Sequence, residues 1–458
     1  MKVPFITLLL LASITLNCFN INAQTEPVAA EQPVVRLKAT LDVNGFMTYF
    51  PELLNFETFV RSRNSFFNPT HDLMFLHGKK TSLLLDLKDG KVQTTLTGLK
   101  GWPILSPNTR RLLVIESKKA PQLLHAQTGE KICEVTAHEG KVSDALWSPD
   151  EKSIVLLRHY SSTFRSLLEK EKTVARSYNA ATCQPQFNLE IKSTFVAQVA
   201  FSPDSQTILT TSNKEDPRLW DANTGKLIAS LRISKPSSYY TGGYADFSPD
   251  GSFVIVRSHE GITLWESSTG KLRVPVAQSE MGKDSYQVGG VSPDGKLLML
   301  YREQFKRFVD IESTIELRDT QTGTRRAVFR GPNMQYSTHQ VAWSRDGITV
   351  VTAGGNKEFN GKIWDIQSGK LVATFPMVAK KSRMPFTFGY KDLDHISFHP
   401  SRPIITVVNN KYVRLLNAKG ELLQKLDNAT QPARWTTDGR LLITATKDLK
   451  TLQIWELI

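Results

Sequence analysis

The chain has 458 residues, 40% hydrophobic and 22% charged, which places it among soluble globular proteins and excludes a largely disordered chain. Its 57 basic and 44 acidic residues leave a formal charge of +13, spread without long single-sign runs. That balance fits an ordinary solvated surface, or attraction to something anionic if one face concentrates it.

In chain order, the first segment reads as a leader. Lys2 precedes an apolar run from Val3 to Leu16, and a polar stretch follows to Ile21-Asn22-Ala23. This is the pattern of a secretory signal over residues 1–23, cleaved after Ala23. The run is shorter than the roughly 20 apolar residues a spanning helix needs, and no later segment reaches that length. The mature protein is therefore expected to be exported, periplasmic or secreted, without a transmembrane segment. Cys18 follows the apolar run as in a lipid-attachment site, but Asn17 stands where a small residue is needed, which argues against an anchor.

Residues 24–60 read as an N-terminal extension. Within it "VVRLKATL", residues 34–41, alternates like a strand and has no partner nearby in sequence. It is expected to pair with the last unit of the chain, so that both termini close one blade.

From residue 61 to 458 two motifs alternate. The first is "RLWDANTGKL" at Arg218, with copies "ITLWESSTGKL" at Ile262, "IELRDTQTGTR" at Ile315 and "GKIWDIQSGKL" at Gly361. Weaker copies start at Leu83, Gln122 and Val413, a degenerate one at Arg176, and "LQIWELI" closes the chain. The second is "FSPDGSFVIV", with versions at Phe66, Ile104, Leu146, Ala200, Gly290, Ala342, Ser397 and Arg434. Nine alternations result, at a period that signals propellers and arrays. In each unit an apolar strand meets a Ser-Pro-Asp-Gly turn. A β-rich run follows, then a variable connection, a third strand ending at Trp-Asp, a Thr-Gly turn and an outer strand. The expected fold is all-β, a single propeller of four-stranded antiparallel blades. Nine repeat units are counted, and closures of seven, eight or nine blades all fit, with the Arg176 copy the one that another blade could absorb. Trp220, Trp265, Trp364 and Trp455 are expected to pack between blades, and the acidic residue after each to serve the turn.

These residues resemble the WD-repeat β-propeller family, in the divergent form found in exported bacterial proteins. The resemblance covers roughly Phe66 to Ile458. The family's Gly-His before each unit is nearly absent. Ala137-His138 is the one approximation, with Asp216 and Asp448 at the expected places of its partner Asp.

Two cysteines remain after the leader. Cys133 and Cys183 are either a disulfide or two separate half-buried thiols. No Cys-Cys or Cys-His spacing suggests a metal or a nucleophile. His395 and His399 lie on one strand roughly 13 Å apart at about 3.3 Å per residue, too far to share a metal, and read as turn and surface histidines. There is no GxSxG, HExxH, phosphate-binding or EF-hand loop, and no room outside the repeats for a peptidase domain. No cofactor or metal is expected.

The longest connections fall on one end of the blades. They are "HYSSTFRSLLEKEKTVAR", read as a short helix from Leu167, Leu168 and Val174; "SKPSSYYTGGY"; "YREQFKRFVDIES"; and "MVAKKSRMPFTFGYKD". Their Arg302, Lys306, Arg307, Lys380, Lys381 and Arg383, beside Phe386, Phe388, Tyr390, Tyr239 and Tyr240, form the candidate binding face. The expected function is a monomeric, non-catalytic platform for a protein or an anionic polymer. Export argues against nucleic acid. The alternative is a loop-built enzyme, lactonase-like or quinoprotein-like, with its site in the central channel.

Overall fold

A computed structural model describes residues 34–42, 73–77, 81–87, 89, 91–116, 119–135, 141–159, 174–191, 196–212, 215–232, 244–258, 260–279, 284–307, 310–330, 340–354, 360–377, 380–381, 390–391, 395–408, 412–448 and 450–458. They build nine antiparallel blades, with no helix among them.

The strand β1 (Val35–Asp42) is set aside for the last blade. The first blade holds β2 (Leu73–His77), β3 (Thr81–Asp86) and β4 (Lys91–Thr97). The second runs β5 (Trp102–Leu105), β6 (Arg111–Ile115), β7 (Gln122–His125) and β8 (Lys131–Glu134). The third is β9 (Lys141–Trp147), β10 (Ser153–His159), β11 (Val174–Asn179) and β12 (Pro185–Leu189). Next come β13 (Val196–Phe201), β14 (Thr207–Ser212), β15 (Arg218–Asp221) and β16 (Leu227–Ser230). The fifth blade is β17 (Tyr244–Phe247), β18 (Phe253–Ser258), β19 (Gly261–Glu266) and β20 (Leu272–Gln278). The sixth is β21 (Asp284–Val291), β22 (Leu297–Arg307), β23 (Asp310–Asp319) and β24 (Arg325–Arg330). The seventh is β25 (Gln340–Trp343), β26 (Thr349–Gly354), β27 (Asn360–Asp365) and β28 (Leu371–Pro376). A two-stranded hairpin, β29 (Lys380–Lys381) with β30 (Tyr390–Lys391), precedes the eighth blade. That blade holds β31 (His395–Phe398), β32 (Ile404–Val408), β33 (Tyr412–Asn417) and β34 (Leu422–Asp427). The ninth holds β35 (Ala429–Trp435), β36 (Leu441–Thr446) and β37 (Thr451–Leu457), with β1 as its outer strand. Val35 pairs with Leu457 and Asp42 with Thr451, so the segment 34–41 closes the ring.

Second strands read as unbroken apolar runs because both faces of every blade are covered. Successive side chains point to opposite faces. In β6, Leu112 packs toward the first blade and Leu113 toward the third. Each interface holds one apolar cluster. The cluster of Leu441, Ile443, Leu452 and Ile454 against Met74, Leu76, Leu85 and Leu87 joins the last blade to the first, and the ring is closed. Between third and outer strands each blade carries the same register shift, from Leu84/Leu85 in the first blade to Leu37/Ala39 opposite Trp455 in the last. A bulge of this kind sharpens the local twist.

Tight turns close one end of the blades. In six of them a buried serine side chain receives the N–H of the residue five positions on, as Ser202 Oγ does from Thr207 at 2.9 Å, and donates to the Asp or Asn two positions on. Thr436 does the same in the ninth blade. In the eighth the residue is His399. Its Nδ1 accepts the N–H groups of Ser401 and Arg402, and Nε2 lies 2.8 Å from the Gly439 carbonyl of the next blade. His399 is thus a turn histidine as expected, but not a surface one: it is buried because it substitutes for the turn serine. His395 is also screened, and burial, with Arg434 alongside, lowers its pKa to about 4.

The Arg176 copy is not absorbed elsewhere. It forms β11 and β12, the outer half of a regular third blade. Val174 starts β11 and so belongs to a strand; the rest of the expected helix lies outside the described residues.

Candidate binding face

Four repeat tryptophans hold third strands in place. Trp220 donates its indole N–H to Thr210 at 2.9 Å, Trp364 to Thr352 at 3.0 Å, and Trp455 to Thr444 at 2.9 Å. In each of these the threonine sits on the second strand. Trp265 donates instead to Thr263 on its own strand. The Asp that follows caps the turn: Asp221 Oδ1 accepts from the N–H of Asn223 and Thr224 and from the Thr224 hydroxyl. Asp448 accepts from Thr446 and from the Lys450 N–H, the duty of a local turn residue. Asp216 lies just before β15, and Ala137-His138 lies outside the described residues.

The sixth blade departs from this pattern. Arg318 occupies the tryptophan position, and Leu300 the threonine position. A guanidinium there needs a partner on the same face, and Glu316, two residues earlier, supplies it. Arg318 Nε and Nη2 donate to Glu316 Oε2 at 2.9 and 2.5 Å. Glu316 is 1% exposed and also meets Arg325 at 3.6 Å and Arg302 at 3.9 Å. Arg302 continues the ladder to Asp284, 3.0 Å away on the inner strand.

That ladder corrects the reading of Arg302. Its segment is not a loop: β22 and β23 extend the second and third strands into a long hairpin, and Arg302 pairs with Thr314 across it. The side chain is part-buried and engaged with two carboxylates. Lys306 and Arg307 are the last residues of β22, with Arg307 opposite Asp310 and a register shift at Lys306. Lys380 and Lys381 form β29, where Lys380 faces Lys391 and Lys381 faces Tyr390 across the hairpin. Arg383, Phe386, Phe388, Tyr239 and Tyr240 lie outside the described residues.

Cys133 and Cys183 form a disulfide, with Cα atoms 5.9 Å apart. Cys133 is on the outer strand of the second blade, and Cys183 in the Thr-Gly-type turn of the third. The same two blades are joined by Arg111, which donates to the Ala180 carbonyl at 2.8 Å and to Glu151 Oε2 at 3.1 Å, its guanidinium over the Trp147 ring. Glu151 also accepts the Asn108 N–H.

The whole ladder was missed at the sequence level. Its signal was present in "IELRD", where Arg replaces Trp and an acid stands two residues before it on the same strand face.

With this geometry in view, relatives can be compared. The ring is a WD-repeat-like β-propeller. No known family model matches the chain. It is 25% identical over 180 residues to autophagy-related protein 16 of Arabidopsis thaliana, covering 38% of this chain and 31% of that protein. The match thus spans about a third of the plant protein's length. Among solved structures, that of the eukaryotic initiation factor matches with a TM-score of 0.54 at 13% identity, over 82% of this chain and 91% of the other. The computationally designed Ika8 protein matches with a TM-score of 0.42 at 14% identity, over 76% and 93% of the two chains. Likeness at these identities is one of fold. Among the described residues no helix is long and apolar enough to cross a membrane.

Proposed function

We propose that this is an exported propeller of the divergent bacterial type, a non-catalytic platform that engages a protein or anionic polymer through the end carrying its long connections. The observation that carries this is the inequality of the two ends. At one end the strands are joined by two repeated turn designs of a few residues, each bonded through Ser-Asp or Asp-Thr side chains. At the other the chain spends 14 residues between β10 and β11, 13 between β16 and β17, and places an extra hairpin between β28 and β31. Loops set on a rigid scaffold are where binding residues concentrate. The added hairpin, in which Lys380 pairs with Lys391, brings further basic residues to this end of the ring. The Cys133–Cys183 bridge supports an oxidising compartment.

The test uses immobilised heparin as the polyanion probe. Lys380→Ser/Lys381→Ser/Arg383→Ser should elute at lower salt than the parent, with a flatter salt dependence and an unchanged Tm. Equal elution of that variant, with loss on Lys226→Ser/Lys271→Ser/Lys370→Ser at the tight-turn end, would place binding on the opposite side of the ring.

A further inference from the structure

The outer strand of a blade pairs on one side only, and its other edge is a template for a further strand. Such edges are commonly blunted by charge, by proline or by shortness. Most outer strands of this ring follow that rule. β8 is bounded by Lys131 and Glu134, β12 starts at Pro185, and β16 has four residues. β20 carries Arg273 and Pro275, β24 three arginines, β34 Lys425 and Asp427, and β1 Arg36, Lys38 and Asp42. β4 begins at Lys91 and continues with glutamine and threonines.

β28 differs from all of them. Its six residues, Leu371–Pro376, carry no charge. Leu371 is 47% and Val372 49% exposed, and Ile348, in a tight turn of the same blade, is 51% exposed. Among the described residues no other blade shows more than two large exposed apolar side chains. The Ile366 N–H donates to the Ile348 carbonyl at 2.8 Å, which sets Ile348 beside the turn that opens β28. The inward side of the strand is anchored. Phe375 packs with Ile396, Ile405 and Leu416 of the eighth blade, and Arg414 of that blade donates to the Pro376 carbonyl at 2.7 Å. Thr374, between Ala373 and Phe375, is exposed. Basic residues bracket the strand. Lys370 precedes it, exposed and without an ion-pair partner among the described residues, and Lys380 and Lys381 follow in β29.

We propose that the edge of β28 takes up an extended segment of a partner protein as a fifth strand of the seventh blade. In this mode main-chain hydrogen bonds supply affinity and alternate side chains supply specificity. The segment that fits is uncharged and β-branched in its middle, where it lies along Val372 and Thr374. It is acidic at its ends, where it meets Lys370 and the lysines of β29. A second copy of this chain is a poorer occupant. Antiparallel pairing of two β28 strands brings the Lys370 end of each beside the β29 lysines of the other, like charge against like. The inference stands apart from the long-connection end, since peptide capture can fail while heparin retention holds, and the reverse.

The experiment is fluorescence polarisation on the full chain with a labelled peptide of alternating Val and Thr that carries Asp-Glu at each end. It should bind saturably. The same peptide with Lys-Arg ends should bind roughly tenfold more weakly. A version with N-methylated alternate amides should not bind, because its pairing edge is blocked. Leu371→Ser/Val372→Ser should weaken the Kd by about tenfold with the cooperative melt kept, since both side chains are exposed. Lys370→Glu should weaken the acidic-ended peptide and strengthen the basic-ended one, by about threefold each. Leu227→Ser, on the outer strand β16, should bind as the parent does. Absence of binding by the acidic-ended peptide overturns the proposal. So does undiminished binding by folded Leu371→Ser/Val372→Ser. A concentration-dependent dimer of the parent that this variant abolishes also overturns it, by giving the edge to a second copy.

Discussion

Cys183 stands in the left-handed conformation, φ 59°, that glycine adopts at the same turn position in other blades, and its sulfur is bonded to Cys133. In the following blades Gly225, Gly270, Gly323 and Gly420 occupy that position, with φ from 65° to 80°. Each abuts the outer strand of the blade before it: Phe187, Ala229, Val274 and Ala373. Those four residues share a register with Cys133, opposite the central residue of the third strand. The bridge therefore sits at a contact the whole ring repeats.

Breaking it should cost a good deal. Cys133→Ala/Cys183→Ala loses the constraint on a loop spanning 50 residues, about 4 kcal/mol in the chain-entropy view. It also keeps a side chain where the backbone prefers none. Cys133→Ala/Cys183→Gly should recover about 1 kcal/mol of that loss. Urea unfolding of the two variants checks the order; equal midpoints would show that the left-handed position carries no strain.

Glu151 occupies the glycine place of a Ser-Pro-Asp-Gly turn, at φ 61°, and sends its carboxylate back to Arg111 and Asn108 of the preceding blade. Glu151→Gly relieves the backbone but leaves a part-buried guanidinium unpaired. We expect a net loss of about 2 kcal/mol. Arg111→Met/Glu151→Gly should restore most of it, since an apolar chain can cover Trp147 without a charge. Differential scanning calorimetry of the pair against each single variant gives the coupling.

The sixth blade offers a reciprocal experiment. Glu316→Gln removes the charge that balances Arg318, and should destabilise by about 3 kcal/mol. Restoring the pattern of neighbouring blades with Leu300→Thr/Glu316→Thr/Arg318→Trp should return most of the stability, because the indole then finds a hydroxyl as Trp220 finds Thr210. A triple variant no more stable than Glu316→Gln would mean that the surrounding side chains have adapted to the ion pair.

His395 makes stability depend on pH. Its pKa falls from 6.5 to about 4 on folding, first through burial and then through Arg434. The unfolded chain thus binds a proton that the folded one refuses. Its contribution is complete above pH 6.5 and is lost as pH falls toward 4, by about 3 kcal/mol in all. His77 and His399, also lowered by burial, act in the same direction. His395→Gln should flatten the stability profile between pH 4 and 6.5 while leaving the remaining acid sensitivity.

The ring could be read from the sequence because its turns announce themselves. Ser-Pro-Asp-Gly and Thr-Gly recur at fixed offsets, and each has a backbone duty that few other residues perform. Even the degenerate "NAATCQ" keeps that grammar once Cys183 is seen to stand for glycine. The closing strand was legible for a related reason, as an alternating segment with no neighbour to pair with. Arg302 was misread because its segment contains the charges of a loop, whereas two strands here outgrow the sheet and pair beyond it. His399 was read as a turn residue but not as a buried one, because a histidine can mimic a serine hydroxyl only through the geometry of Nδ1, which no composition rule reveals.

The closing strand also orders events in time. Val35 pairs with Leu457, so the earliest-made strand of the ring waits for the last-made one. At roughly 5–20 residues per second, that wait lasts on the order of 20–80 s of synthesis. Meanwhile Leu37 and Leu41 have no edge to join, and the edge of β37 does not yet exist. Ring closure thus waits for β37, and a chain cut short before Thr451 leaves β1 without its partner strand.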